Sequence, residues 1–352
     1  MRAALGFPWA LAAVLASCAA ATKSPTQTAI PIGGPWQRLE YEHASMGTLF
    51  RIVLHAPDAV AAQRAATAAF ARLDEIDGRL SDYAPQSELS RLSRASEGSV
   101  PTPWLALSAD LYAVLTRARE ISQATDGALD VTCGHATRLW RRALRERELP
   151  GAEELESARA SIDWRALEVR HAEPAARWTR ANVRLDLGGI AKGYALDCML
   201  SLLASEGLES ALVIGGGDMV AGEPPPGKRA WRVELLLPSA GPEEPRAVIE
   251  LCRAAVATSG DLYRGAEIDG RRYSHLVDPQ TGLALTESRG ASVVALDAIT
   301  ADALATAACV LGPVQGRSLF ERFPQCKFLL VALGASGLQR AHSANFPSPI
   351  ER

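Results

Sequence analysis

The segment WRVELLLPSAGPEEPRAVIELCRAAVATSGD, Trp231 to Asp261, reads as three strands in succession: Trp231 to Leu237, Ala247 to Leu251 and Ala254 to Thr258. Apolar residues alternate with polar ones in the first two, the signature of strands with one covered face. No helical stretch separates them. Working outward, further strands read at Ser210 to Ile214, Arg272 to Val277, Ser292 to Ala295 and Lys327 to Leu333, and short ones near Leu167 to Arg170, Trp178 to Thr179 and Val183 to Leu187. Leu39 to His55 alternates around Met46-Gly47-Thr48. Helices read over Ala59 to Leu80, Ser108 to Thr125, Ala191 to Ser205 and after Thr300, and a charged helical excursion over Leu139 to Ala160 breaks at Pro150-Gly151. Strands and helices mix without regular alternation, so the expected class is α+β with largely antiparallel sheet packed against helices.

The 352 residues are 48% apolar and 22% charged, enough for a sizeable core, and the net charge of -3 offers no positive field for a polyanion. Nucleic acid is not an expected partner. Residues 1–18 read as a lipoprotein signal peptide: an apolar run from Phe7 to Ala16 ends in Leu15-Ala16-Ser17-Cys18, which resembles a lipobox with Cys18 as the lipidated residue. Residues 19–38 then read as a flexible tether and 39–345 as the folded domain. The expected location is the bacterial cell envelope, lipid-anchored, with the domain on the periplasmic side. Cys133, Cys198, Cys252, Cys309 and Cys326 have no ligand-like spacing and read as buried free thiols.

Four stretches carry polar chemistry. Leu185-Asp-Leu-Gly-Gly-Ile-Ala-Lys-Gly-Tyr194 is a strand, a glycine turn and a helix start, with Lys192 beside free amides. Phosphate contact and a plain glycine turn with a solvated lysine both fit that segment alone. Gly215-Gly-Gly-Asp218 suggests backbone passing close to something bulky, with Asp218 as an acceptor. Asp278-Pro-Gln-Thr-Gly282 fits a type I turn closed by a left-handed glycine, and it follows His275 on a strand where Tyr273, His275 and Val277 share one face. Thr300-Ala-Asp-Ala-Leu-Ala-Thr306 reads as a helix start capped by Thr300. Asp302 and Thr306 are four apart on it, a carboxylate and a hydroxyl facing the same way, hard oxygens of the kind Mg²⁺ takes.

Taken in order, Met46-Gly47-Thr48, Tyr83 with Ser87-Glu88-Leu89, Asp126-Gly-Ala-Leu-Asp130, the GGIAKGYALD run, Gly215 to Asp218, ATSGD with YSHLVDPQTG, and ADALATA resemble the ApbE family of FAD:protein FMN transferases. The resemblance implies an ApbE-like, T-fold-like architecture. It implies FAD as substrate, Mg²⁺ on its diphosphate, and transfer of FMN to a threonine or serine hydroxyl of an acceptor protein, here one of a membrane redox complex, with release of AMP. It places Met46, Tyr83, Ala128, Leu129, Asp130, Asp186, Lys192 and Leu276 at the flavin nucleotide, Gly189 (through its carbonyl), Asp302 and Thr306 at the metal, and His275 as general base. Where relatives continue the aspartate motif with Pro-Thr-Val-Gly-Pro, this chain has Val131-Thr-Cys-Gly-His135, which offers His135 as a second candidate base and leaves the pocket shape open. Competing readings are an FAD pyrophosphatase giving FMN and AMP, a flavin-binding lipoprotein without turnover, and a serine hydrolase built on Ser259, His275 and Asp278.

Overall fold

The computed structural model describes residues 26–31, 35–237, 246–260, 265–334 and 337–346. Cys18, the signal segment and Asp261 lie outside the described residues. A nine-stranded sheet forms the centre, and its strands lie side by side in chain order, each antiparallel to the next. They are β1 (Thr26–Pro31), β2 (Gln37–Ser45), β3 (Thr48–Ala56), β4 (Ala211–Gly215), β5 (Asp218–Ala221), β6 (Ala254–Gly260), β7 (Ser288–Ala295), β8 (Lys327–Gly334) and β9 (Gly337–His342). The α+β class with antiparallel sheet holds. Strand β1 falls inside the stretch read from sequence as a tether, where it pairs with β2.

Period-two alternation sorts the sheet's side chains onto two faces. Phe50, Ile52, Leu54, Val213, Ala255, Ala257, Ala291, Val293 and Leu330 enter the main core, while Val53, Leu212 and Val256 face the other way. Helices α1 (Ala59–Leu80), α6 (Ala191–Ser205) and α7 (Ala298–Leu319) cover the first face. The hairpin of Trp231–Leu236 and Arg246–Leu251 covers the second, burying Trp231, Val233, Leu235, Ala247, Ile249 and Leu251. This hairpin is the segment whose alternation is clearest in the sequence, and the alternation is the reason it packs flat on the sheet. Helix α7 is long and apolar enough to cross a membrane, yet 72% of its apolar window is buried inside the domain. It is the central core helix.

Between β3 and β4 the chain adds α2 (Glu88–Ala95), α3 (Ala109–Ala124), α4 (Gly134–Glu146) and α5 (Ala152–Ala160). Ser87 caps helix α2 by accepting the Ser90 amide at 2.9 Å. The excursion over 139–160 resolves into α4 and α5. Val183 to Leu187, read as a strand, forms only one isolated bridge, between Arg184 and Cys133. Helix α7 starts earlier than expected, because Asp297, not Thr300, is its cap, accepting the Thr300 amide at 2.9 Å. Of the cysteines, Cys309 and Cys326 are buried as expected, Cys133 and Cys198 are half-buried, and Cys252 is exposed.

Two local devices aim the chain at the cleft described next. Met46 (φ 49°) and Gly47 (φ 71°) make the two-residue turn between β2 and β3, left-handed at both positions as a type I′ turn requires. Asp77 of α1 accepts the Met46 amide at 3.1 Å and pins the turn to the helix. On the far side, Trp140 of α4 stacks on Tyr273 at 5.2 Å and donates its indole N–H to the Gly282 carbonyl at 2.9 Å. That fixes the Asp278–Gly282 turn against the helix.

Candidate active site

A single cleft of about 1080 Å³ opens between the β2–β3 turn, the Gly188–Gly189 turn, the start of α6, the first turns of α7 and the 275–279 segment. Its size is at the upper end of the roughly 300–1,000 Å³ usual for small-molecule sites. At its polar end two buried carboxylates converge on one ammonium. Lys192 Nζ lies 2.5 Å from Asp218 Oδ2 and 3.3 Å from both oxygens of Asp302. The two carboxylate side chains are only 4% and 3% exposed. Asp218 is fixed from behind by the Thr258 amide, 2.9 Å from its Oδ1, and Asp302 by the Gly193 amide, 3.0 Å from its Oδ2.

The cluster carries one negative charge too many. Burial pushes the Asp302 carboxyl above its ordinary pKa, with Asp218 adding to the push against the pull of Lys192. Burial works against the Lys192 ammonium too, yet Asp302 and Asp218 together hold it above its ordinary value. Both directions have one meaning: the site favours a further positive charge. Hard oxygens stand ready for it. Thr306, one turn beyond Asp302, reaches the Ser259 hydroxyl at 3.1 Å. Gly189 packs so tightly on Thr306 that a Cβ there would lie 2.8 Å from its Cγ2 and 3.0 Å from its Oγ1. A carboxylate, a hydroxyl and a backbone turn fit a small divalent ion that keeps waters or substrate oxygens for its other positions. Among the described residues no group of three His, Cys, Asp or Glu side chains has metal-binding geometry, so a softer transition-metal cage is not built here.

The other end of the cleft is planar and mixed. Tyr83 is 75% exposed and has the Arg141 guanidinium 4.9 Å from its ring centre. Asp186 accepts from the Thr137 hydroxyl at 2.6 Å, Arg141 at 2.7 Å and the Gly188 amide at 2.7 Å. Asp130 is a scaffold carboxylate, with Oδ1 on the Thr132 amide and hydroxyl at 2.8 and 2.7 Å and Oδ2 on the Trp164 amide at 3.0 Å. Burial pushes its carboxyl up. Ala128 and Leu129 are buried beside it, so their side chains add little surface to the cleft. Met46 and Leu276 border the apolar wall.

The twelve residues that the resemblance places at the nucleotide, the metal and the base all line this one cleft: Met46, Tyr83, Ala128, Leu129, Asp130, Asp186, Gly189, Lys192, His275, Leu276, Asp302 and Thr306. His135 does not. It is exposed on α4 and absent from the lining, which removes it as a second base. Asp278 spends its carboxylate on its own turn, accepting the Gln280 amide at 2.9 Å and the Thr281 hydroxyl at 3.1 Å, so no hydrolase triad with Ser259 and His275 forms. Tyr273 and Val277 pack in one cluster, as the alternation predicts, and Leu276 packs in another. The strand is interrupted after Ser274, whose hydroxyl accepts the Leu276 amide at 3.0 Å, and pairing resumes at Val277, while His275, Leu276 and Val277 all line the cleft. Four of the amides around the start of α6 are already used: those of Gly188 and Gly193 go to Asp186 and Asp302, and those of Ile190 and Ala191 to the Leu187 carbonyl.

With this geometry in place, the family model described as "ApbE family" matches residues 46–330. The chain belongs to the ApbE family. Proteins named FAD:protein FMN transferase from Treponema pallidum and from Vibrio cholerae are each 32% identical to it, over 85% and 89% of this chain and 86% and 92% of theirs. The flavin transferase ApbE structure from Vibrio cholerae superposes with a TM-score of 0.76 at 27% identity, covering 92% of this chain and 98% of that one. The apo flavinyl transferase ApbE structure from Pseudomonas stutzeri gives 0.75 at 27% identity, covering 90% and 95%. The likeness in sequence and in fold thus spans most of this chain and most of those proteins.

Three contributors were not foreseen. Arg141 sits in a charged helix and gives no sign in the sequence that it turns inward. Asp82 joins it only in space. Asp197 of α6 holds the first amides of α7, accepting from Ala298 and Ile299 at 2.8 Å each, and so sets the helix that carries Asp302 and Thr306.

Proposed function

We propose that this chain transfers FMN from FAD to a threonine or serine hydroxyl of an acceptor protein, releasing AMP and leaving a phosphoester-linked flavin. The observation that carries the reading is the buried pair of carboxylates sharing one lysine at the polar end of a cleft of about 1080 Å³. Family membership supports it. In this reading Asp302, Thr306 and the Gly189 carbonyl hold Mg²⁺, which when bound neutralises charge on the diphosphate. Lys192 supplies a second cation to the same phosphates, and Asp218 holds its ammonium in the cleft. His275 accepts the proton of the incoming hydroxyl. Met46, Tyr83, Asp186 and Leu276 border the flavin nucleotide, with Ala128, Leu129 and Asp130 shaping the wall behind it.

Phosphoryl transfer asks a protein chiefly to position groups and neutralise charge, and this division of labour does that. With four of the amides around the α6 start engaged, the lysine and the metal carry most of the electrostatic work. We further propose that Cys18 is lipidated and that the domain works on the periplasmic side, with an acceptor in a membrane redox complex. Strand β1 begins at Thr26, so the domain starts close behind that cysteine.

The test is incubation of the purified protein with FAD, Mg²⁺ and a threonine-bearing acceptor, followed by mass spectrometry of the acceptor. A gain of one FMN supports transfer. Free FMN with an unmodified acceptor means hydrolysis, and intact FAD rejects both.

A further inference from the structure

Arg141 is a charged side chain in the cleft that the proposed reaction does not use. Its guanidinium bridges two carboxylates: one nitrogen is 2.6 Å from Asp82 Oδ2, the other 2.7 Å from Asp186 Oδ2. These carboxylates come from separate parts of the chain, Asp82 from the loop after α1 and Asp186 from the turn before Gly188. The same guanidinium covers one face of the Tyr83 ring. Within the 81–87 loop, Ser81 and Ser87 fold the backbone on itself: the Ser81 hydroxyl accepts the Tyr83 and Ala84 amides at 3.3 Å, and the Ser87 hydroxyl donates to the Ser81 carbonyl at 2.6 Å. Two arginines tie Asp82 to other parts of the chain, Arg141 on its side chain and Arg184 on its carbonyl at 3.0 Å. Burial and Asp186 push the Asp82 carboxyl up while Arg141 pulls it back. Without the arginine, two carboxylates would face each other.

We propose that Arg141 is a positioning residue for the planar ring of the flavin: it locks the Tyr83 loop to the Asp186 turn and occupies one face of Tyr83, so that the ring system stacks on the other. This rests on the proposed function. A fork of two hydrogen bonds plus a stacked face is what a guanidinium provides and an ammonium does not. Tyr83 is mostly exposed, so its orientation depends on this contact rather than on core packing.

The test is FAD affinity by flavin fluorescence quenching, with steady-state transfer kinetics, for Arg141→Gln, Arg141→Lys, Tyr83→Ala and the Arg141→Gln/Tyr83→Ala pair. Arg141→Gln is expected to raise the Kd for FAD about tenfold, with KM rising more than kcat falls. Arg141→Lys should recover only part of that, and the double variant should bind no worse than the weaker single one, because both changes remove the same stacked platform. Additive losses, or an unchanged Kd in Arg141→Gln, overturn the proposal. Should Arg141→Gln fail to fold, Asp82→Asn cuts the same tie from the loop side and carries the same expectation. Wild-type protein that binds FAD but transfers nothing overturns the proposed reaction and leaves this inference standing; wild-type protein that binds no flavin overturns both.

Discussion

Replacing Asp302 by Asn should separate stability from activity. The cluster holds two carboxylates, 4% and 3% exposed, and one ammonium, a net charge of minus one. Neutralising Asp302 removes the surplus charge and leaves Lys192 with Asp218 at 2.5 Å, while the Asn carbonyl can still accept the Gly193 amide. The loss is the ionic part of an ammonium–carboxylate pair at 3.3 Å to both oxygens, worth about 1 kcal/mol, set against relief of an undercompensated buried carboxylate worth about 1–3 kcal/mol. In metal-free buffer the Tm should therefore stay level or rise by up to about 4 °C. Mg²⁺ at a hundredfold excess over its Kd stabilises a bound protein by about 2.7 kcal/mol, so the wild-type Tm should climb on adding MgCl2 and that of the variant should not. FMN transfer should fall by at least about 10²-fold, the usual cost of removing one preorganised electrostatic partner. Differential scanning fluorimetry with and without MgCl2, paired with the acceptor mass assay, measures all of this. A variant that melts more than about 4 °C lower without metal, or that keeps the Mg²⁺ response, refutes the charge argument.

Gly193→Ala should cost about 3 kcal/mol or more, because its Cβ would sit 2.2 Å from the Ala298 carbonyl oxygen where α6 crosses α7; Gly78→Ala, with nothing within 4 Å, should not destabilise, and equal urea midpoints for the two would contradict the packing. Burial lifts the Asp197 pKa from 3.8 to about 7, against the pull of the Ala298 and Ile299 amides. The folded state thus holds that proton more tightly than the unfolded chain, so this stabilising contribution is complete below about pH 4 and lost as pH rises towards 7. Asp197→Asn should flatten that slope in urea titrations between pH 4.5 and 7.5, and curves parallel to wild type would count against it. His275→Asn should lower kcat by about 10²–10⁴ while FAD still binds; a drop of less than tenfold would remove its assignment as base.

Much of the site was legible because its chemistry is local. Asp302 and Thr306 are one helical turn apart, Gly188-Gly189 and Lys192 share one strand-turn-helix unit, and a spacing of four on a helix puts side chains on one face whatever the rest of the protein does. Where the reading slipped, a neighbour decided. Thr300 looked like a cap, but Asp297 reached the amide first. The strand read over 272–277 is interrupted after Ser274 and pairs again only at Val277. The helix-start amides looked available for an anion until side chains from Asp186 and Asp302 took two of them.

The amino-acid order alone settles the class of the fold, since alternation at period two and strands without intervening helices leave little but antiparallel sheet, and it settles the family through motifs that keep their spacing. It does not say which charges meet. Asp218 and Asp302 share Lys192, and Arg141 joins Asp82 to Asp186, across separations of 110 and 59 residues at the widest. Electrostatic energy depends on distance in space and on exclusion of water, and both exist only once the sheet and its helices have packed.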